Sequence, residues 1–316
     1  MKVYPIFLKP VFKERIWGGT ALRDTFNYNI PSNLTGECWG ISALPQGKSI
    51  VKNGEYAGLT LSEIWTDHRE LFGGQKGDYF PLLTKILDAN SDLSVQVHPD
   101  DEYAQKYEKD SLGKTECWYI IDCKKGAELI YGHTATTKEE FQKRMEQGEW
   151  DRLLRKIPIH PGDFFYVPSG TIHALGAGTL VLETQQNSDS TYRVYDYDRK
   201  DDQGNKRELH LQKALDVTNI PHNDRYYQPK VTSFEGITIT TFLENHFFSV
   251  QKWEISGPSY LKQTKDFLLI SVIKGIGEIF VNNESYSFTK GDHFILPYGL
   301  GKFSINGNAE LIVSYK

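Results

Sequence analysis

The sequence predicts a mainly β protein, two jelly-roll barrels carrying helical insertions, and three observations support that expectation. Short β-branched and aromatic runs recur with Gly, Pro and Asn between them, as in Phe164-Phe165-Tyr166-Val167 and residues 237–243. Residues 161–170 align without gaps on residues 290–299, and each stretch reads as a Gly-Asp turn, a strand and a Pro-x-Gly turn. Helical periodicity is confined to three segments, 61–74, 138–157 and 209–218, which interrupt the β pattern rather than replace it.

Taken in chain order, the first ten residues carry Pro5 and Lys9 inside a short apolar run and do not form a signal-peptide core. The segment 61–74 repeats apolar residues at helical spacing. In 138–157, Thr136 and Thr137 are N-cap candidates with Glu139 or Glu140 placed for a capping box. The third helix, 209–218, precedes His222-Asn223-Asp224 and Pro229, where the boundary between the barrels is expected, giving units 1–225 and 226–316. The longest aliphatic run, 267–273, is far below the roughly 20 residues of a membrane span.

A chain of 316 residues with 39% apolar content is long enough to bury a substantial core. Its net charge of −5 supplies no basic field, which argues against nucleic acid as a partner; any anion must be gripped locally. Cys38, Cys117 and Cys123 are too few and too irregular for a disulfide framework or a paired-cysteine metal site, which suits a reducing, cytoplasmic setting. Oligomeric state is not encoded in any pattern found here.

The most informative stretch is Leu93-Ser94-Val95-Gln96-Val97-His98-Pro99. Strand alternation directs Ser94, Gln96 and His98 to one face, and inside a barrel an imidazole and an amide are costly to bury unless something binds them. Glu116 opens the next strand-like run, and His173 follows the turn Pro168-Ser169-Gly170. Two imidazoles, a carboxylate and an amide oxygen suit Zn²⁺ and equally Fe²⁺ or Mn²⁺. In the repeated stretch the register of His173 falls on Lys302, so only the first barrel is expected to bind metal. Trp17, Trp39 and Trp118 read as core or barrel-lining aromatics.

The segments Leu93 to Asp100 and Gly113-Lys114-Thr115-Glu116 resemble the signature of type I mannose-6-phosphate isomerases, zinc enzymes with a cupin fold. Ile16-Trp17-Gly18-Gly19, residues 81–87, residues 161–173 and the block Glu183, Asn187-Ser188-Asp189, Arg193 are similar to family segments in the same order. The sequence departs at Thr115, where the family usually has proline, and in the run Val194 to Arg199, which replaces a Gly-Leu-Thr-Pro-Lys tail.

The resemblance implies one Zn²⁺ per chain held by Gln96, His98, Glu116 and His173, with Arg193 as principal catalytic residue. Lys114, Glu183 and Asp189 are the acid/base candidates. Arg193, Arg199 and Ser94 are the candidates for the substrate phosphate, Arg199 standing in for the missing lysine. The implied reaction interconverts mannose 6-phosphate and fructose 6-phosphate through an enediol. That chemistry needs a cation beside the developing oxyanion, a proton carrier reaching both carbons, and a cationic grip on the phosphate. Two other readings fit part of the pattern. An Fe(II)-dependent oxygenase would use two His and a carboxylate but gain little from Gln96 or the cations. A non-catalytic sugar-binding cupin would keep a closed metal site.

Overall fold

A computed structural model describes residues 3–108, 112–200 and 203–316. Among these residues the chain is mainly β, in three antiparallel sheets of ten, six and five strands. The six-stranded sheet runs in the order Phe164–Val167, Glu116–Cys123, Thr179–Gln186, Leu82–Ala89, Thr35–Ile41, Val11–Gly19. The five-stranded sheet runs Tyr192–Tyr195, Val95–Val97, His173–Leu175, Glu128–His133, Leu154–Pro158.

The middle strands of the six-stranded sheet are buried along their whole length because both faces are covered. In Leu82–Ala89, Leu82 and Ile86 face one core, shared with the ten-stranded sheet, while Leu87 and Ala89 face another. Glu116–Cys123 behaves alike, with Cys117 and Tyr119 outward and Trp118 and Ile120 inward. The inward core, which includes Trp17, Leu93, Trp118, Leu129, Val167 and Leu175, lies between the six- and five-stranded sheets. Helices Lys138–Glu146 and Leu211–Val217 close the far side of the five-stranded sheet through Phe141, Met145, Ala214 and Leu215.

The ten-stranded sheet is built mostly from residues after 230, yet it also takes in Ile6–Lys9, paired with His293–Leu296, and Ile50–Val51 beyond it. The beginning of the chain therefore belongs by hydrogen bonding to the same sheet as its end.

The repeated stretches fold alike in detail. Phe164–Val167 and His293–Leu296 occupy the same positions of the repeat. Gly162 and Gly291 sit at φ +95° and +92°, the left-handed region that favours glycine in both turns. Gly162 N donates to Ile120 O, Gly291 N to Val272 O; Ile120 N donates to Asp163 O, Val272 N to Asp292 O.

The helical expectation needs one correction. The segment 138–157 is not a single helix: Lys138–Glu146 stops before Gly148, whose φ of +68° breaks the spiral, and Trp150–Leu153 is one short further turn. Leu154–Pro158 is then an edge strand on Glu128–His133, with Leu154 buried and Arg155 to Pro158 half-buried or exposed in alternation. The expected cap is present, since Thr137 Oγ1 accepts from Glu140 N and Glu140 Oε2 accepts from Thr136 N. Two short helices not anticipated, Ala21–Phe26 and Asp101–Tyr107, lack the length that makes periodicity legible. Segment 61–74 forms Leu61–Asp67 followed by the 3-10 turn Arg69–Phe72, and 209–218 forms Leu211–Val217. No helix among the described residues is long and apolar enough to cross a membrane.

Candidate metal centre and active-site cavity

Strand pairing brings the four expected ligands together from two facing sheets. His173 lies directly opposite Gln96 across the five-stranded sheet, and Glu116 projects from the six-stranded sheet toward them. His98 Nε2 is 3.3 Å from Glu116 Oε2, and His173 Nε2 is 3.3 Å from Glu116 Oε1. One ligand atom from each of His98, Glu116 and His173 falls within 4.8 Å of the others, and all three residues are buried. The Gln96 amide stands 3.3 Å from His173 Nε2; which amide atom faces the imidazole is a choice between two orientations of one planar group, and the oxygen-in orientation completes a four-donor set.

Each imidazole is oriented from behind. His98 Nδ1 donates to Ser190 O at 2.9 Å and His173 Nδ1 to Thr171 O at 2.8 Å, which leaves both Nε2 lone pairs aimed at the centre. Burial pushes both imidazoles below the ordinary histidine range, His98 down to about 3 with the Lys114 ammonium adding to the effect. Burial thus favours the neutral form of each ring, the form a metal ligand takes. Burial opposes ionisation of Glu116, but the Lys114 ammonium outweighs it and holds the carboxyl well below the usual range. Neither Glu116 oxygen accepts a well-directed hydrogen bond from the protein, although the Lys114 ammonium lies 3.0 Å from Oε2. A fully buried carboxylate flanked by two inward imidazole nitrogens fits a divalent cation.

Above this cluster opens a cavity of about 450 Å³ whose wall includes Ser94, Gln96, Lys114, Glu183, Asp189 and Arg193. Glu183 sits in one row with Lys85 and Trp118 on the neighbouring strands. Lys85 Nζ lies 3.0 Å from its Oε1, and Trp118 Nε1 donates to Oε2 at 2.9 Å. Burial and the Glu116 charge raise the Glu183 carboxyl above its ordinary range, against the pull of Lys85 and Lys114. Arg193 lines the cavity with its Nη1 donating to Glu208 O, while its Nε is buried without a hydrogen-bond partner in the protein.

One family model, described as phosphomannose isomerase type I, catalytic domain, matches residues 6–135, and a second, mannose-6-phosphate isomerase, cupin domain, matches 238–316. Mannose-6-phosphate isomerase ManA of Bacillus subtilis is 60% identical over 315 residues, with 100% of both chains covered. The chain belongs to the type I phosphomannose isomerase family. The mannose-6-phosphate isomerase of Streptococcus mutans is 53% identical over 313 residues, covering 98% of each chain. The crystal structure of the Bacillus subtilis mannose 6-phosphate isomerase superposes with a TM-score of 0.98 at 57% identity over 100% of both chains. A putative mannosephosphate isomerase from Archaeoglobus fulgidus shares the fold at 21% identity, with a TM-score of 0.78.

Within this family member, one expected phosphate ligand lies elsewhere. Arg199 does not line the cavity: its Nη2 is held by the Asp196 carboxylate and its Nη1 by Asp92 O, because the turn from Asp196 to Arg199 folds the guanidinium back on its own loop. Arg207 lines the cavity instead, and so do Lys85, Glu37 and Arg15. Glu37 is buried and accepts from Arg15 Nε at 2.8 Å and from the Trp39 indole. Lys85, the one basic residue of the strand Leu82–Ala89, was only a faint sign of an inward cation. Arg207, beside Lys206 in a polar run, offered no sequence sign.

Proposed function

We propose that this chain interconverts mannose 6-phosphate and fructose 6-phosphate by moving a proton between C2 and C1 through an enediol. The observation that carries the reading is the convergence of His98, Glu116 and His173 within 4.8 Å beneath a cavity lined by both cationic and carboxylate groups. Zinc, one ion per chain, would be held by Gln96, His98, Glu116 and His173. When bound, it supplies Lewis-acid stabilisation of negative charge on the sugar's O1 and O2, an effect of several kcal/mol.

The chain's own residues supply the rest. Glu183 is the proton carrier in this reading, because burial moves its carboxyl toward the working pH while Lys85 and Trp118 fix its orientation. Lys114, 3.0 Å from Glu116, balances the buried carboxylate and presents a donor toward the substrate oxygens. Asp189 faces the same cavity and is the second candidate for proton transfer. Arg193 grips the phosphate, its buried Nε being the hydrogen-bond donor still to be satisfied, and Ser94 offers a hydroxyl on the same wall.

The expected units 1–225 and 226–316 are two barrels in this reading, with Ile6–Lys9 and Ile50–Val51 of the first lent to the sheet of the second, which is a packing partner without ligands. The matching hydrogen bonds around Gly162 and Gly291 support it, as does Lys302 at the register of His173. The free thiols of Cys38, Cys117 and Cys123 support a cytoplasmic setting.

The test is elemental analysis followed by a coupled assay for fructose 6-phosphate formed from mannose 6-phosphate. Zinc near one equivalent with turnover is expected. Zinc without turnover would turn the reading to a sugar-binding cupin, and iron with oxygen uptake to an oxygenase.

A further inference from the structure

We infer that Arg207, preset by Asp196, is the second guanidinium of the phosphate clamp and works as a pair with Arg193. The inference deepens the isomerase reading and rests on it for the identity of the anion. Three observations support it, all outside the metal ligands. First, Arg193 and Arg207 line the same cavity, and the segment bearing Arg207 is strapped to Arg193: His210 N donates to Arg193 O at 2.7 Å, Arg193 N faces His210 Nδ1 at 3.2 Å, and Arg193 Nη1 donates to Glu208 O at 2.8 Å.

Second, Asp196 is only 5% exposed and serves both Arg199 and Arg207. Arg207 Nε donates to Asp196 Oδ2 at 2.7 Å, and its Nη2 donates to Oδ1. The turn that delivers Asp196 holds Tyr197 and Asp198 both at φ +54°, a left-handed geometry that costs non-glycine residues about 1 kcal/mol each, so the chain accepts strain to set this carboxylate. Asp196 thereby fixes the Arg207 fork before any anion arrives, which reduces the ordering needed on binding.

Third, cationic groups crowd this wall of the cavity. Arg199 and Arg207 share the one Asp196 carboxylate, and the proximity of Arg207 adds to burial in opposing protonation of Arg193, with Asp196 and Glu208 pulling the other way. Like charges gathered in a half-buried cavity are unfavourable until a dianion enters, and a phosphate monoester carries about −1.5 to −2 near neutral pH. Arg199, turned away on Asp196 and Asp92 O, balances the hub without reaching the cavity.

The test uses the zinc-loaded full chain with R207Q, R207K and R199Q. R207Q should raise KM for mannose 6-phosphate by about 10- to 100-fold, the value of one or two charge-assisted hydrogen bonds, with kcat changed much less. The inhibition constant of inorganic phosphate should rise in parallel, and R207K, which keeps the charge but loses the fork, should fall between. R199Q should raise KM less than R207Q. A KM and phosphate inhibition constant within about twofold of wild type in R207Q, or a larger effect in R199Q, overturns the assignment. Should R207Q not fold, judged by circular dichroism, R207K decides alone: an unchanged phosphate constant rejects the pairing. Binding of inorganic phosphate followed by ³¹P line broadening needs no turnover, so loss of that binding in R207Q sustains the clamp even if the wild type fails to isomerise the sugar.

Discussion

Glu116 and Leu268 occupy the same place in two copies of one strand-and-turn unit. Glu116 pairs with Val167 at the end of Phe164–Val167, and Leu268 pairs with Leu296 at the end of His293–Leu296. One copy points a carboxylate into its interior and the other a leucine, with Lys302 at the register of His173. Within this unit the same turn-and-strand geometry thus carries a buried carboxylate once and a buried leucine once.

It follows that the ligand cluster is separable from the fold. Glu116→Gln keeps shape and volume while removing the charge that faces two imidazoles and Lys114. Zinc affinity should fall by at least roughly 100-fold, more than the 10- to 100-fold typical of removing a partner behind a ligand. The far-ultraviolet circular dichroism should be retained. Retention of one equivalent of zinc through dialysis against a weak chelator would show that Glu116 is not a ligand.

Arg193 and His173 should separate by metal content. His173 is fully buried with Nε2 directed at Glu116, so His173→Ala should lose both zinc and turnover. Arg193 is the cross-strand backbone partner of Gln96 but sends its Nη1 to Glu208 O, so Arg193→Ala should cut kcat/KM by about 100-fold or more with zinc largely retained, charge-assisted bonds to the phosphate being worth about 3 kcal/mol or more. Equal zinc loss in the two variants would refute this division.

Gln96 and His98 were legible as candidate ligands because alternation along Leu93 to His98 is a local property: a strand with polar residues on one face either faces water or holds something. The β class and the repeat were legible for a similar reason, since turn residues punctuate them. Lys85, Glu37 and Arg207 escaped because their role is set by neighbours distant in sequence. Lys85 meets Glu183 98 residues on, across two adjacent strands, and nothing next to it in the chain differs from core. Arg199 and Arg207 look equivalent in the sequence; only the turn at Tyr197-Asp198 decides which of them reaches the cavity. The strand Leu154–Pro158 was read as helix because four partly apolar residues after a short helical turn satisfy either period.

Trp118→Phe tests how Glu183 is tuned. Burial and the Glu116 charge already push this carboxyl up, and the indole N–H at 2.9 Å favours its ionised form. Removing that donor should raise the Glu183 pKa further, so the acid limb of the kcat/KM profile should move to higher pH by about one unit, the value of one hydrogen bond to a charged group. Lys85 remains as a partner, which keeps the side chain in place. An unmoved acid limb, with activity lowered uniformly across pH, would remove Glu183 from the titrating step.

His293 should make the protein acid-sensitive far from the metal. It is 1% exposed and lies where the first part of the chain meets the last: Tyr28 OH is 3.0 Å from Nε2, Ser271 Oγ 2.8 Å from Nδ1, and Gly40 is so close that a Cβ there would fall 2.4 Å from the ring. Tyr28 OH donates its proton to Gly291 O at 2.6 Å, so Nε2 carries the imidazole proton and Nδ1 accepts from Ser271. A second proton would remove the acceptor that Ser271 uses. Burial accordingly pushes His293 down to about 4, Asp292 only partly opposing it. Because the folded value lies below the unfolded value of about 6.5, stability is complete above pH 6.5 and is lost as pH falls toward 4, where both states bind the proton. The loss over that window is on the order of 3 kcal/mol. His293→Gln, which can still donate to one neighbour and accept from the other, should be less stable than wild type at pH 7 but lose less on going to pH 4.5, by roughly 2 kcal/mol. Urea unfolding at the two pH values measures both differences, and an identical loss in the two proteins would assign the acid sensitivity to other groups.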